Sequence, residues 1–412
     1  MFEKTGEQKR RFAILCLLYA GFISLGMTDA VLGVAWPGMR LDFGLPLGAA
    51  GILVGVTKIG GIISCLVYGY FGGRWHVGRI MLAFSLILAV EFFGYAASPW
   101  WPLVVVLTIP AGFGIGAVVS AMSAYAAKYC SSRDMALVNC VWGVGVTCST
   151  VMMTSMLRSG YSWRTGYAVI AALLALVSAA FFAALGAWRG RACVAGGLEP
   201  GNARVSAGAS RRIVFPGLVK YRRVFAANCV YSVAYSGVEL APGLWGTTFM
   251  LDVTGASIET AGFTVSLYWA SLTAGRAIAG ALASRVSDVR VLRGGVVTAF
   301  LGIAIFTVTR NSLAVLGAFV LIGLGLGPLF PLMLHDIPRR VGDGASPRMI
   351  GVMMGANYLG AAVLPALMGF AASRSSILVM GPMMAFFIAV VAASHEFSAF
   401  NALYKRVRPP AK

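Results

Sequence analysis

Charge is what this sequence has least of. Of its 412 residues 11% are charged, 14 are acidic and three are histidine. Soluble domains carry about 25% charged residues, so a soluble globular enzyme and a disordered chain are both excluded. Cysteine is sparse as well. Cys16, Cys65, Cys130, Cys140, Cys148, Cys193 and Cys229 are odd in number and form no C-x-x-C pair. Five of them fall in or beside apolar runs, where they read as reduced packing residues rather than a disulfide frame or a metal site. No Gly-Lys-Ser/Thr phosphate loop occurs, which excludes an ATP-driven pump. His76, His335 and His395 fall at predicted helix ends without ligand spacing. With no cluster of acids, histidines or metal ligands, a membrane-embedded transferase has nothing to work with. No cofactor is expected.

Apolar length is what the chain has in excess: 59% of residues are hydrophobic. A membrane-spanning helix needs about 20 apolar residues. Twelve such runs are predicted, at 12–36, 48–71, 80–97, 101–127, 135–157, 165–187, 224–251, 260–284, 291–308, 313–335, 349–372 and 376–395. They are too long and too evenly apolar for the alternating strands of a membrane barrel. The expected fold class is therefore an all-α membrane protein with 12 transmembrane helices. The first run holds Asp29 and leads directly into further spans, so it reads as a retained helix and not a signal peptide.

The net charge of +19 is not spread evenly. The N-terminus, the even-numbered connections and the C-terminus hold 26 of the 33 Lys and Arg residues, counting Arg293 at the edge of the ninth run with the connection before it, the odd-numbered connections hold five, and Lys58 and Arg276 lie inside spans. By the positive-inside rule both termini face the cytoplasm, and the expected location is the cell (inner) membrane. Arg339-Arg340 and the tail around Lys405-Arg406 suit anionic lipid headgroups rather than nucleic acid. The longest connection, 188–223, is polar and basic. It separates an N-terminal six-helix bundle (1–187) from a C-terminal bundle with its tail (224–412).

These two halves repeat at an offset of 211 residues. Ala50-Gly51 corresponds to Ala261-Gly262, Gly69 to Gly280, Arg74 to Arg285 and Arg79 to Arg290. Gly112, Gly114 and Gly116 correspond to Gly323, Gly325 and Gly327. With a slip of one or two residues, Gly26-x-x-Asp29-x-x-x-Gly33-x-x-Trp36 matches Gly237-x-Glu239-x-x-x-Gly243-x-Trp245. A parallel six-plus-six repeat implies two pseudo-symmetric bundles with a solute site between them.

Several segments carry a resemblance: Gly33-Val-Ala-Trp36-Pro37, Trp142-Gly-Val-Gly145, Ser162-Trp-Arg-Thr-Gly-Tyr167, Glu239-x-x-x-Gly243, Tyr268-Trp-Ala-Ser-Leu-Thr-Ala-Gly-Arg276 and Gly327-Pro-Leu-Phe-Pro331. On these the chain resembles the major facilitator superfamily, and within it the fucose-permease-like branch. The resemblance implies alternating access by rocking halves, with spans 1, 4, 7 and 10 lining a cavity. Two departures stand out. The superfamily's loop after span 2 usually has an acid where this chain has Gly73, and the branch's fourth-span acid and amide are replaced by Val119 and Ser123.

Five charges fall inside apolar runs: Asp29, Lys58, Glu91, Glu239 and Arg276. Each would cost about 2.5–3.5 kcal/mol near the bilayer centre, so each needs a partner or a task. A carboxyl in apolar surroundings is easier to protonate, which makes Asp29 and Glu239 candidates for proton coupling. The alternative is permanent ion pairing of Asp29 with Lys58 and of Glu239 with Arg276. Lys58 either binds an anionic substrate or neutralises Asp29. Arg276 suits snorkelling or a cytoplasmic gate, together with Arg74, Arg79, Arg285 and Arg290. Glu91 is peripheral and could reach the outer interface.

Asn139, Gly143, Thr147, Thr150 and Thr154 make one polar face of span 5, and Thr264, Tyr268, Ser271 and Gly275 do the same for span 8. Such faces either line a cavity or pack helices. The candidate substrate-binding residues are Lys58, Asn139, Trp142, Tyr268, Trp269, Asn357 and Tyr358, with aromatic faces for the C–H side of a sugar and amides for its hydroxyls. Trp36 and Trp245 read as interfacial belt residues. The function expected is proton-coupled symport of a sugar or other small polar solute by a monomer. The alternative is a proton-coupled exporter of an amphipathic or anionic compound.

Overall fold

The computed structural model describes residues 2–71, 77–129, 132–185, 222–282, 285–341 and 346–407. Among these no strand occurs. The helices are α1 (Phe2–Asp42), α2 (Ala50–Phe71), α3 (Val77–Ala97), α4 (Trp101–Tyr129), α5 (Ser132–Arg158), α6 (Trp163–Ala183), α7 (Arg222–Thr254), α8 (Ile258–Leu282), α9 (Asp288–Val308), α10 (Ser312–Leu326), α11 (Leu329–Val341), α12 (Ser346–Arg374) and α13 (Met380–Val407). Lipid offers no hydrogen bonds, so a spanning chain must satisfy its backbone within the helix. Each apolar run accordingly became helix. The tenth run is divided into α10 and α11 at Gly327-Pro328. Pro328 brings no N–H to a helical ladder, which suits such a break.

Ten helical segments among the described residues are long and apolar enough to cross a membrane. The seventh and eighth spans, α7 and α8, are not among them. Twenty of the 33 residues of α7 are buried, including Asn228, Ser232, Tyr235 and Ser236. A helix enclosed by protein does not need a lipid-compatible surface, so its composition can be polar.

The chain divides into two compact units, residues 1–45 with 56–207 and residues 46–55 with 208–412. The linker expected over 188–223 lies outside the described residues except at its last two positions. In the first unit α1 packs against α5 and α6, and α3 against α4 and α6. In the second, the equivalent helices pair the same way: α7 against α12 and α13, and α9 against α10 and α13. The repeat also reaches the turns. Gly44 and Gly255, 211 residues apart, both have φ of 64°. That left-handed conformation is costly for other L-residues, so glycine closes the same turn in each half.

Close helix crossings depend on small residues. A Cβ on Gly26 would strike the backbone carbonyl of Trp142, and one on Gly145 that of Ile23, so α1 and α5 meet backbone to backbone. In the second unit Gly323 sits on Tyr268 and Ser271 of α8, Gly325 on Gly295 and Ala299 of α9, and Gly327 on Leu272 and Arg276.

Two expectations are corrected. Trp36 and Trp245 are fully buried at 0% exposure, not in an interfacial belt. Trp36 packs on Trp101 with ring centroids 5.7 Å apart, and Trp245 lies against Gly369. His395 is not at a helix end either: α13 continues to Val407, and His395 is buried within it beside Arg340, Nε2 to guanidinium 2.9 Å.

Candidate functional site

Among the described residues, the first and second helices of each unit are joined by an acid–base pair. In the first unit Lys58 Nζ of α2 donates to Asp29 Oδ1 of α1 at 2.9 Å. The side chains are 13% and 21% exposed. The crossing of α1 and α5 supplies a second donor. Gly26 lies one turn before Asp29, and Trp142's carbonyl fills the space its side chain would have taken. The Trp142 indole is thereby held beside the carboxylate, and its Nε1 donates to Asp29 Oδ2 at 3.2 Å. The two carboxylate oxygens thus face donors from two different helices.

In the second unit Arg276 of α8 donates to Glu239 Oε1 of α7 at 2.8 Å. Their side chains are 16% and 14% exposed. The same oxygen accepts from Tyr235 Oη at 2.9 Å, one turn earlier on α7. Tyr268 on α8 donates its hydroxyl to the backbone carbonyl of Glu239 at 2.5 Å. Gly243, one turn after Glu239, leaves room for the Trp269 indole, which stands edge-on to Tyr268 at 5.1 Å. Tyr235 also stacks on Phe330 of α11 at 5.4 Å and on Tyr231 at 6.4 Å. A carboxyl so held is largely buried and partnered, and an ion pair of this kind is costly to break on one side only.

The predicted residues therefore fall into groups. Asp29, Lys58 and Trp142 are brought together in one unit, and Glu239, Arg276, Tyr268 and Trp269 in the other. Asn357 is half-buried on α12, its amide 3.5 Å from the Ser232 carbonyl. Tyr358 beside it is also half-buried. The Asn139 side chain and all of Arg74 lie outside the described residues. Arg79, Arg285 and Arg290 are exposed, with Arg290 Nε bonded to Ser287 Oγ at 3.0 Å. Along α5, the Thr150 and Thr154 hydroxyls turn back onto their own helix, to the Val146, Thr147 and Thr150 carbonyls.

Sequence reasoning missed two clusters. Glu91 does not reach an interface. It is buried at 6% exposure and accepts from Tyr95 Oη at 2.8 Å, whose oxygen lies 2.5 Å from Thr108 Oγ1. The i to i+4 spacing of Glu91 and Tyr95 was the available signal. The second cluster joins Asp336 and Arg340 of α11 to His395 of α13, with Glu396 bonded to Arg293 of α9. Among the described residues no group of three or more His, Cys, Asp or Glu could hold a metal ion.

Comparison with known proteins places the chain in a family. An uncharacterized MFS-type transporter of Yersinia pestis is 26% identical over 150 residues, a match covering 36% of this chain and 39% of that protein. The chain thus matches about two-fifths of that relative's length. Solved structures share the fold across nearly the whole chain. A nucleoside transporter has a TM-score of 0.72 at 13% identity, over 95% of this chain and 99% of that one. A D-xylose-proton symporter has a TM-score of 0.67 at 15% identity, over 94% and 97%. A peptide transporter has a TM-score of 0.70 at 13% identity, over 94% and 95%. The sequence model of the Major Facilitator Superfamily matches residues 18–365, and the chain, an all-helical multi-pass membrane protein, belongs to that superfamily of transporters.

Proposed function

We propose that the protein is a proton-coupled secondary transporter of a small polar solute, working by alternating access, and that it falls in the fucose-permease-like branch. The observation that carries the reading is the pair of carboxylates inside apolar spans, each held by one base: Asp29 by Lys58 at 2.9 Å and Glu239 by Arg276 at 2.8 Å. A carboxylate partnered by a base can take up a proton, lose its charge and release that base, which alters what each helix can bind. Both termini lie in the cytoplasm, as the distribution of Lys and Arg supports. The exposed Arg79, Arg285 and Arg290 then belong to the cytoplasmic face, and with Arg74 and Arg276 form its gate.

The neighbours that carry D-xylose with protons, nucleosides and peptides support a small polar solute. Trp142, Tyr268, Trp269, Asn357 and Tyr358, with Asn139, are the residues assigned to hold it. Purified protein is screened by thermal shift against sugars, organic acids and nucleosides, since a ligand for the folded state raises its melting temperature. Uptake of the ligand found is then followed in proteoliposomes. A proton gradient should drive accumulation, a protonophore should abolish it, and Asp29→Asn and Glu239→Gln should uncouple it. Gradient-driven uptake at the wild-type rate in both variants refutes the assignment.

A further inference from the structure

The donors around Asp29 are arranged as a binding site for a carboxylate. Lys58 Nζ is 2.9 Å from Oδ1 and Trp142 Nε1 is 3.2 Å from Oδ2. One donor is a cation and the other a directional N–H, one to each oxygen, and charge-assisted bonds of this kind are the strong ones. Both reach in from other helices, α2 and α5, so the site does not depend on the local conformation of α1. Asp29 enters it on a short side chain that keeps 21% of its surface exposed.

Glu239 is held differently. Its Oε1 takes both Arg276 and Tyr235, and Tyr235 sits on the same helix one turn away. The hydroxyl of Tyr268 ties down its backbone carbonyl. That arrangement anchors an acid to its own helix. The arrangement at Asp29 presents two donors to whichever carboxylate is there.

The charges that surround Asp29 bear on what protonation does. Lys58 faces it from α2, and α5 contributes the neutral Trp142. The other helices packed on α1 are α3 and α6. They carry the exposed Arg79, Glu91, bonded to Tyr95, and Arg164, bonded to the Ala96 and Ser98 carbonyls and 3.9 Å from Asp42, while Arg158 is exposed at the end of α5. Among the described residues, Asp29 is ion-paired with Lys58. When Asp29 takes a proton, Lys58 becomes a cation within an apolar span and without an anion, which is unfavourable. A solute anion restores the balance.

We propose that Lys58 and Trp142 form a carboxylate subsite, that Asp29 fills it while the transporter is empty, and that a carboxylate-bearing solute replaces Asp29 as Asp29 is protonated. The step conserves charge. The proton goes to the Asp29 carboxyl, the Lys58–Asp29 ion pair breaks, and an ion pair between Lys58 and the solute forms. Solute anion and proton therefore enter together. This inference rests on the proton-coupled reading above and narrows its substrate class to organic anions.

The probe is acetate, with acetamide as its neutral isostere and chloride as the ionic-strength control. Thermal shifts are recorded on the purified full-length protein between mildly acidic and alkaline pH. In the wild type acetate stabilises and acetamide does not. Its apparent affinity weakens as the pH rises, because the anion and a proton are taken up together. Asp29→Asn leaves the donors without a competing charge, so acetate binds it equally across the range. Lys58→Gln removes the response, and Trp142→Phe weakens it.

Stabilisation by acetamide equal to that by acetate overturns the proposal, as does an acetate response that survives Lys58→Gln. Should Asp29→Asn not fold, the wild-type pH series and Lys58→Gln decide alone. A response lost in Lys58→Gln but independent of pH in the wild type removes the proton from Asp29 and keeps the anion subsite. No acetate response in a protein that still shows gradient-driven uptake of a neutral solute removes the subsite and keeps proton coupling.

Discussion

The Glu239–Arg276 pair allows a test of how tightly charge is balanced inside the second unit. At 2.8 Å, two unit charges attract by about 6 kcal/mol at an effective dielectric of about 20. Most of that attraction is offset by the desolvation of both groups, so the intact pair contributes little net stability. Removing one partner is different, since it leaves an uncompensated charge at a cost of about 3–5 kcal/mol. Side-chain exposures of 16% and 14% place this pair at the lower end, about 3 kcal/mol.

The two halves of the pair are not equivalent. A guanidinium does not give up its proton within a protein, whereas a carboxyl can take one up. Glu239→Gln takes the anion away from Arg276, which keeps its full charge, so it costs about 3 kcal/mol. Arg276→Met costs less, because Glu239 can discharge by binding a proton. The double variant, Glu239→Gln with Arg276→Met, recovers most of the loss, giving a coupling energy of about 2–3 kcal/mol in the cycle. The assay is reversible unfolding of the purified chain in mixed micelles with increasing SDS. If the double variant is no more stable than Glu239→Gln alone, or if Glu239→Gln stays within about 0.5 kcal/mol of wild type, the pair is not balanced as described.

Gly26→Ala should push α1 from α5, because the added methyl meets the Trp142 carbonyl. Overpacking of this kind costs about 1–3 kcal/mol, read in the same assay, and indole fluorescence should report the displacement of Trp142; a variant with unchanged stability contradicts the backbone contact. Gly44→Ala and Gly255→Ala each force a left-handed residue where no neighbouring atom lies within 4 Å. The loss should be about 1 kcal/mol at each position from the backbone alone, and it should add in the double variant because the sites belong to different units. Unequal or non-additive losses would mean that the two turns are not equivalent.

Much of the architecture was legible without coordinates. Helix positions followed from the length of apolar runs, because a bilayer sets both the length and the backbone pairing of anything that crosses it. The offset of 211 was legible in charged landmarks such as Arg74 and Arg285, and the turn glycines Gly44 and Gly255 extend it. Even so, α1 and α13 run well beyond their apolar stretches, since polar residues continue a helix once it has left the lipid. That is why His395, taken for a helix end, lies inside α13.

The sequence by itself determined that an acid stands at a matching place in the first span of each half, Asp29 and Glu239, and that the second span of each half holds a base, Lys58 and Arg276. It left open whether Asp29 meets Lys58, and it did not join Asp29 to Trp142, 113 residues away. Only the tertiary structure decided those partners, because they depend on how closely two helices cross and at what rotation, and that is set by glycines facing backbone on another helix. The same holds for Trp36 and Trp245. Hydropathy places a tryptophan at a depth along its helix, but only the packing of neighbouring helices decides whether it faces lipid or protein.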